Sequence, residues 1–433
     1  MQHGSTCAPL DVLIVGSGIS GLTAASSLVA RFPRLRILEA RSRVGGRLLS
    51  HDGVDLGGSW WWSHDASAVQ IARRLGIGTV PQRLDGNAWV HQQGRAAQRA
   101  GNVGDQIAPC GPGAQRFAGG YAELPNRLAQ SLPAGTLQLG SRVVSLEYQS
   151  SLSSIRVSME GGEALYARRV ILAVPPRLAS RIQFTPALPE VRRRQLASTA
   201  TWCGDWAKVV AIFKTPFWRG AGDSGAAATP GGLVEMWWEA SSGVNGDGRA
   251  PALAGLAFGS VGAAKLNAFG PAIEKDQLAL ARSAVEDKDG PPASTSSLAS
   301  SESPANPNPN PNPNPNSSLA SSESPAGLRA EVVRALGALY GEEVVQDNLL
   351  RVTHKVWMAD ADTYAPPPDE RETPDPRGSY GHPHLRTPLP WGVFFAGTES
   401  ESESGHVAGA LRAAERVARE VIASGLDASP SEQ

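Results

Sequence analysis

The sequence predicts an α/β fold in which helices cover a largely parallel sheet. Strands buried on both faces are expected for four apolar runs without polar alternation, DVLIVG, RLRILEA, RRVILAVP and GVFFAG. The stretches 61–130 and 181–345 are instead rich in tryptophan and in loops. We therefore expect a Rossmann-like domain and a second, mixed α+β domain that is inserted into the first in two pieces.

The order of these runs along the chain suggests where the two domains begin and end. The first domain is expected to consist of three segments, 8–62, 131–180 and 346–425. The second domain is expected to consist of two segments, 63–130 and 181–345, and residues 426–433 form a short tail. With 433 residues, the chain is long enough for two cores.

One segment, 287–326, is not expected to join either core. It contains five Asn-Pro pairs, with one copy of SSLASSESPA before them and a second copy after them. Proline at every second position removes backbone donors and prevents a helix or a sheet ladder. We expect a disordered surface insertion, and a regulatory or partner-binding segment is the alternative.

Composition excludes several classes of function. Forty basic residues oppose 41 acidic ones, and the net charge of -1 gives no electrostatic reason to bind nucleic acid or an anionic membrane. Three widely spaced cysteines form neither a disulfide framework nor a metal-binding pattern. The amino terminus does not look like a secretion signal, and no apolar run reaches the roughly 18 to 20 residues of a membrane span. We expect a soluble, cytoplasmic protein without a metal.

A dinucleotide-binding motif follows the first expected strand. Gly16, Gly18 and Gly21 have the GxGxxG spacing, with Ser20 inside it, and an apolar helix follows. The glycines permit a tight turn, a close approach of pyrophosphate and close packing of the helix on the strand. Glu39 ends the next strand, where a carboxylate can accept ribose hydroxyls. The alternative is a glycine-rich turn with an ion-paired glutamate.

The residues after this motif resemble the FAD-dependent amine oxidase family, which includes monoamine and polyamine oxidases. The run from Glu39 through Arg43 to Gly45-Gly46-Arg47 is similar to the family's E-x-x-x-R-x-G-G-R segment, and DLGGSW follows at 55–60. The resemblance implies that this segment wraps the FAD pyrophosphate and ribityl chain. Arg47 suits a phosphate through charge-assisted hydrogen bonds, with a solvated arginine as the alternative.

The resemblance continues outside the insertion. FAGGYAELPNRLAQSL, SRVVSLEY, VILAVPP and the closing WGVFFAGTESESESGHVAGALRAAERVARE are similar to family segments. In the last of them, a helix beginning at about 404–406 would direct its positive end at the flavin and stabilise the charge of the reduced ring. The resemblance implies these cofactor-binding residues: Gly16, Gly18, Ser20, Gly21, Glu39, Ala40, Arg41, Gly46, Arg47, Gly58, Ser59, Trp60, Val143, Ala173, Trp357, Gly397, Glu399 and Val407.

Lys208 lies inside an expected strand, in the segment DWAKVVAIFKTPFWR, on the same face as Val210 and Ile212. An edge lysine that extends its ammonium to solvent is the simplest interpretation. In the resembling oxidases, a lysine on a similar strand lies under the flavin near N5. The resemblance therefore implies that Lys208 assists reoxidation by oxygen, and that desolvation lowers its pKa.

Two further positions are expected to shape the substrate site. GSYG at 378–381 resembles the segment that supplies one aromatic wall of the amine cage, here Tyr380. Ser379 stands where covalently flavinylated members have cysteine, so we expect non-covalent FAD. The other wall falls at His406, which departs from the family because histidine stacks less well and titrates near neutral pH. A capping histidine at a helix start is the alternative.

The function expected from this resemblance is oxidation of a primary or secondary amine, either a mono- or a polyamine. Hydride would pass to flavin N5, O2 would be reduced to H2O2, and the imine would hydrolyse to an aldehyde. The eleven tryptophans could bind ammonium groups, with core packing as the alternative. The expected partners are an amine and O2, without nucleic acid or membrane. Alternatives are a flavin desaturase or isomerase of a terpenoid or porphyrin precursor, and a non-catalytic FAD-fold binding module.

Overall fold

The structure is a computed structural model that describes residues 8–63, 65–92, 94–241, 250–270, 326–367, 379–403 and 405–425. The expected insertion at 287–326, except for Ala326, and the expected tail at 426–433 lie outside the described residues.

Nineteen strands are present in the described residues. They are β1 Leu10–Val15, β2 Leu35–Leu38, β3 Ser50–His51, β4 Val54–Asp55, β5 Thr79–Pro81, β6 Asn87–Val90, β7 Gln98–Arg99, β8 Gln115–Phe117, β9 Leu137–Gln138, β10 Val143–Gln149, β11 Ser154–Met159, β12 Ala164–Leu172, β13 Gln183–Thr185, β14 Ala207–Phe213, β15 Asp223–Ala228, β16 Met236–Glu239, β17 Ala252–Ala257, β18 Leu349–Val356 and β19 Val393–Phe395.

Eleven α-helices and four short 3-10 turns connect these strands in the described residues. The helices are α1 Ile19–Leu28, α2 Ala66–Arg74, α3 Gly104–Ile107, α4 Glu123–Gln130, α5 Pro176–Ala179, α6 Glu190–Ser198, α7 Phe217–Gly220, α8 Gly259–Asn267, α9 Ala326–Tyr340, α10 Glu342–Asn348 and α11 Val407–Ala423. The 3-10 turns are Ser150–Leu152, Trp357–Ala359, Pro383–Leu385 and Thr398–Ser400. Among the described residues, no helix has both the length and the hydrophobicity that a membrane span requires.

The first sheet has a parallel core in the order β9-β2-β1-β12-β19. Four of these five strands, β2, β1, β12 and β19, come from the four apolar runs, so their predicted parallel arrangement is confirmed. Val12 and Ile14 of β1 pack toward α1 and α11, while Leu13 and Val15 pack on the opposite face. Burial on both faces explains why these strands lack polar alternation. An antiparallel extension, β10-β11-β12, continues the sheet.

The second sheet has seven strands in the order β18-β14-β17-β16-β15-β6-β7 and is mostly antiparallel. One face packs on α8, α9 and α10, and the other packs on β3 and β4 and the indole-rich segment at 60–62. Consequently β14 is buried along its whole length.

Two of the predicted segment boundaries need correction. Strand β18 lies beyond residue 346 yet pairs with β14 in the second sheet, and β13 lies beyond residue 181 yet pairs with β10 in the first. In each case the strand pairs with a sheet other than the one that its position in the sequence predicts. The remaining segment bounds stay a prediction.

Candidate active site

A cavity of about 560 Å³ is lined by residues from both sheets. The carboxyl ends of β1 and β2 and the start of α1 form one end, and β14 and β17 with several indoles form the other. All predicted site residues line it except Gly21 and Tyr380. One continuous space therefore joins the glycine-rich turn to the buried lysine.

The glycine-rich turn leaves the first end of this cavity open. Gly16 has a φ of 100°, and a Cβ there would lie 2.7 Å from the Ala173 carbonyl oxygen. Gly18 caps α1 without a side chain, and a Cβ there would meet no described atom within 4 Å. The N–H groups of the first helical turn can thus face a phosphate. Gly21 instead packs against the turn, since a Cβ there would lie 2.0 Å from the Gly16 oxygen.

Glu39 follows β2 and is buried at the same end of the cavity. Its carboxylate accepts hydrogen bonds from the Ser17 N–H and hydroxyl, both at 2.8 Å, and from the Arg41 N–H at 3.0 Å. The Arg41 guanidinium lies 3.6 Å from this carboxylate and 2.6 Å from that of Asp360. The position suits the hydroxyls of a ribose, as the motif predicts.

An ion pair between Arg47 and Glu399 lines the middle of the cavity, with a nitrogen–oxygen distance of 2.7 Å. Arg47 also donates to the Trp202 carbonyl, and the Trp202 N–H donates to Glu399 Oε1. Burial by itself lowers the pKa of Arg47, but the Glu399 carboxylate outweighs it and the pKa is raised. Glu399 Oε2 is buried and has no hydrogen-bond partner among the described residues, so it can accept one from a ligand.

Lys208 is the second residue of β14, a strand that pairs with β17 on one side and β18 on the other, and only 5% of the residue is exposed. The interpretation as an edge lysine that reaches solvent is therefore wrong. The ammonium donates to the Gly57 carbonyl at 2.5 Å and the Ser59 hydroxyl at 2.7 Å. It also lies 5.8 Å and 5.3 Å from the ring centres of Trp60 and Trp238.

Burial lowers the pKa of Lys208 to about 8, and the buried Asp55 carboxylate opposes this shift. Asp55 accepts hydrogen bonds from the Ser50 hydroxyl at 2.6 Å and the Tyr121 N–H at 2.7 Å. Lys208 can therefore change its charge within the range of pH in which most enzymes are assayed.

The structure departs from the prediction at Tyr380. The residue is 7% exposed and does not line the cavity, because its hydroxyl donates to the Ala200 carbonyl at 3.0 Å and Trp202 packs beside it. Trp202 is the residue of this pair that lines the cavity.

His406 does line the cavity, between Trp62 and Trp202 at ring distances of 5.6 and 5.9 Å. His406 precedes α11, but its side chain makes no capping hydrogen bond, so the capping interpretation is wrong.

Sequence reasoning missed several lining residues. Trp202 and Trp206 lie in the loop before β14, and Phe258 follows β17. Their signal is the pair of indoles in TWCGDW immediately before the lysine-bearing strand. By contrast, Trp237 and Trp238 are buried in the core, in agreement with core packing as the alternative interpretation of the tryptophans. Within the described ranges, no cluster of three metal-ligating side chains is present.

Comparison with known proteins identifies the family. The family model described as flavin-containing amine oxidoreductase matches residues 19–106, 95–279 and 227–422. The chain belongs to this family, and it therefore uses FAD. Putrescine oxidase from Kocuria rosea is 26% identical over 347 residues, covering 55% of this chain and 71% of that protein. The probable flavin-containing monoamine oxidase A of Dictyostelium discoideum is 30% identical over 329 residues, covering 54% and 71%.

Solved structures show the same fold. Wild-type putrescine oxidase bound to putrescine has a TM-score of 0.67 at 19% identity and covers 96% of this chain and 99% of its own. Cyclohexylamine oxidase from Brevibacterium oxydans IH-35A has a TM-score of 0.67 at 18% identity, with the same coverage. This family member therefore has the amine oxidase fold of mixed sheets and helices.

Proposed function

We propose that this chain oxidises a primary or secondary amine to an imine, using non-covalently bound FAD and O2. For a primary amine, water hydrolyses the imine, so that amine, O2 and H2O give aldehyde, ammonia and H2O2. The observation that carries the proposal is the single cavity that joins the glycine-rich turn to the buried ammonium of Lys208. Family membership supports the redox chemistry.

Three separate observations support the inference that the lining residues have the space and the polar groups that FAD requires. Space is open above Gly18, a buried carboxylate stands at Glu39, and Glu399 Oε2 is a buried acceptor without a described partner. Gly18 and the start of α1 would hold the pyrophosphate, Glu39 the ribose, and Glu399 a hydroxyl or N–H group. When bound, FAD accepts two electrons from the amine carbon and passes them to O2.

The aromatic end of the cavity would bind the amine. Trp62, Trp202 and His406 form adjacent walls that can enclose an apolar substituent and exclude water. Lys208 places a positive charge in the same cavity, which favours negative charge that develops on oxygen. The same charge disfavours a protonated amine, so we propose that the substrate reacts as the neutral amine.

A panel of amines and amino acids, assayed for peroxide with the purified FAD-loaded protein, tests this proposal. We expect peroxide and aldehyde in equal amounts with at least one amine, and none with the amino acids. Each compound is also tested with heat-denatured protein as the control. If no amine produces peroxide but a terpenoid or porphyrin precursor is desaturated or isomerised, the chain is a flavin desaturase or isomerase and the proposal is wrong.

A further inference from the structure

The charges around the cavity restrict the kind of amine that fits, provided that the proposed amine oxidation is correct. We infer that the substrate has one amino group and an apolar remainder, and that diamines and polyamines are poor substrates. The inference depends on where the lining carboxylates lie and what already binds them.

Every carboxylate among the described lining residues is in an ion pair with an arginine that also lines the cavity. The pairs are Glu39 with Arg41, Asp362 with Arg142, and Glu399 with Arg47. An arginine beside each carboxylate already balances its charge. At Glu39 or Asp362, a second ammonium group would have to displace an arginine to gain a counter-ion, which would leave a guanidinium without its partner. At Glu399, the acceptor without a described partner, Oε2, is the one proposed to bind FAD.

At the aromatic end, the acidic side chain among the described lining residues is Glu399, which accepts a hydrogen bond from the Trp202 N–H and is paired with Arg47. This end is formed by Trp60, Trp62, Trp202, Trp206, Phe258 and His406, and the Lys208 ammonium lies beside Trp60. Asp55 is buried nearby but does not line the cavity, and its carboxylate already accepts two hydrogen bonds. Thus, while it is protonated, Lys208 is the charged lining group at this end that has no ion-pair partner among the described lining residues.

Indole faces could in principle replace a carboxylate as partners of a second ammonium. Trp60, however, already faces the Lys208 ammonium, as does Trp238 behind it. A second cation near them would be repelled by the first. An apolar chain or ring has no such penalty, because its burial against Trp206 and Phe258 removes apolar surface from water.

The sharpest test compares n-hexylamine with 1,5-diaminopentane, which differ only in a terminal methyl or ammonium group. We expect kcat/KM to be about 100-fold or more higher for hexylamine, because the ammonium must be buried without a partner. Binding is measured separately by quenching of tryptophan fluorescence, with analogues that carry two methyl groups on every carbon bearing an amino group and therefore cannot be oxidised. The same order of affinities is expected.

Phe258→Glu would place a carboxylate at the aromatic end of the cavity, and Phe258→Gln is its uncharged control. We expect Phe258→Glu to raise kcat/KM for 1,5-diaminopentane at least about 10-fold over Phe258→Gln. Equal or preferred oxidation of the diamine by the unaltered protein would overturn the inference and leave the proposed amine oxidation standing. If neither amine reacts or binds, and no other amine of the panel does, both proposals fail together.

Discussion

Replacing Gly18 by valine is expected to prevent FAD binding and leave the fold intact. The backbone at Gly18 has a φ of -64° and a ψ of 172°, which any residue adopts, and a Cβ there meets no described atom within 4 Å. The new side chain would therefore occupy cavity space and keep a pyrophosphate away from the start of α1. We expect FAD affinity to fall by at least about 100-fold, measured by titration of the apoprotein.

Gly220→Val is the matched control for this substitution. Gly220 ends α7 outside the cavity, and a Cβ there also meets no described atom within 4 Å. Both variants should keep the circular dichroism spectrum and melting temperature of the unaltered apoprotein, and only Gly18→Val should purify without colour. Normal FAD affinity in Gly18→Val would place the cofactor elsewhere.

Lys208→Met is expected to slow the reaction of the reduced enzyme with O2 by about 100-fold, the usual effect of removing one charge-stabilising donor. The methionine fills the volume of the lysine stem and removes the buried ammonium, so we expect a folded protein. Anaerobic reduction by amine should change much less. Stopped-flow measurements separate the two half-reactions. The control is Lys214→Met, which alters an exposed lysine just after β14.

The pH dependence of oxygen uptake gives an independent test of the same residue. Burial lowers the pKa of Lys208 to about 8, so the ammonium is present below this pH and is lost as the pH rises through it. The rate constant for oxygen uptake should fall above about pH 8 in the unaltered enzyme. The profile of Lys208→Met should be flat over this range. An unchanged profile in Lys208→Met would assign the titration to another group.

Local spacing made the first end of the cavity predictable from the sequence. The roles of Gly16 and Gly21 follow from backbone geometry within a few residues, and the two buried faces of β1 appear directly as an unbroken apolar run. Lys208 was predictable as part of a strand, but its burial depends on β18, which is more than 130 residues further along the chain. The sequence alone left both orientations of this lysine open.

The aromatic end has a local signal in the indoles of TWCGDW, but its arrangement depends on contacts between distant segments. Trp202 packs over Gly405, where a Cβ would lie 2.8 Å from its ring, so a small residue far along the chain makes room for it. Tyr380 is held outside the cavity by its hydrogen bond to the Ala200 carbonyl. Two of the three arginine–carboxylate pairs, Arg47 with Glu399 and Arg142 with Asp362, likewise join segments far apart in the sequence.

Anaerobic addition of an amine substrate to the purified, FAD-loaded protein measures the central claim most directly. We predict that the visible flavin absorption bleaches with one equivalent of amine per chain, and that admitting oxygen restores it and releases one equivalent of H2O2. If the flavin keeps its absorption in the presence of every amine of the panel, the chain does not oxidise amines at this cavity.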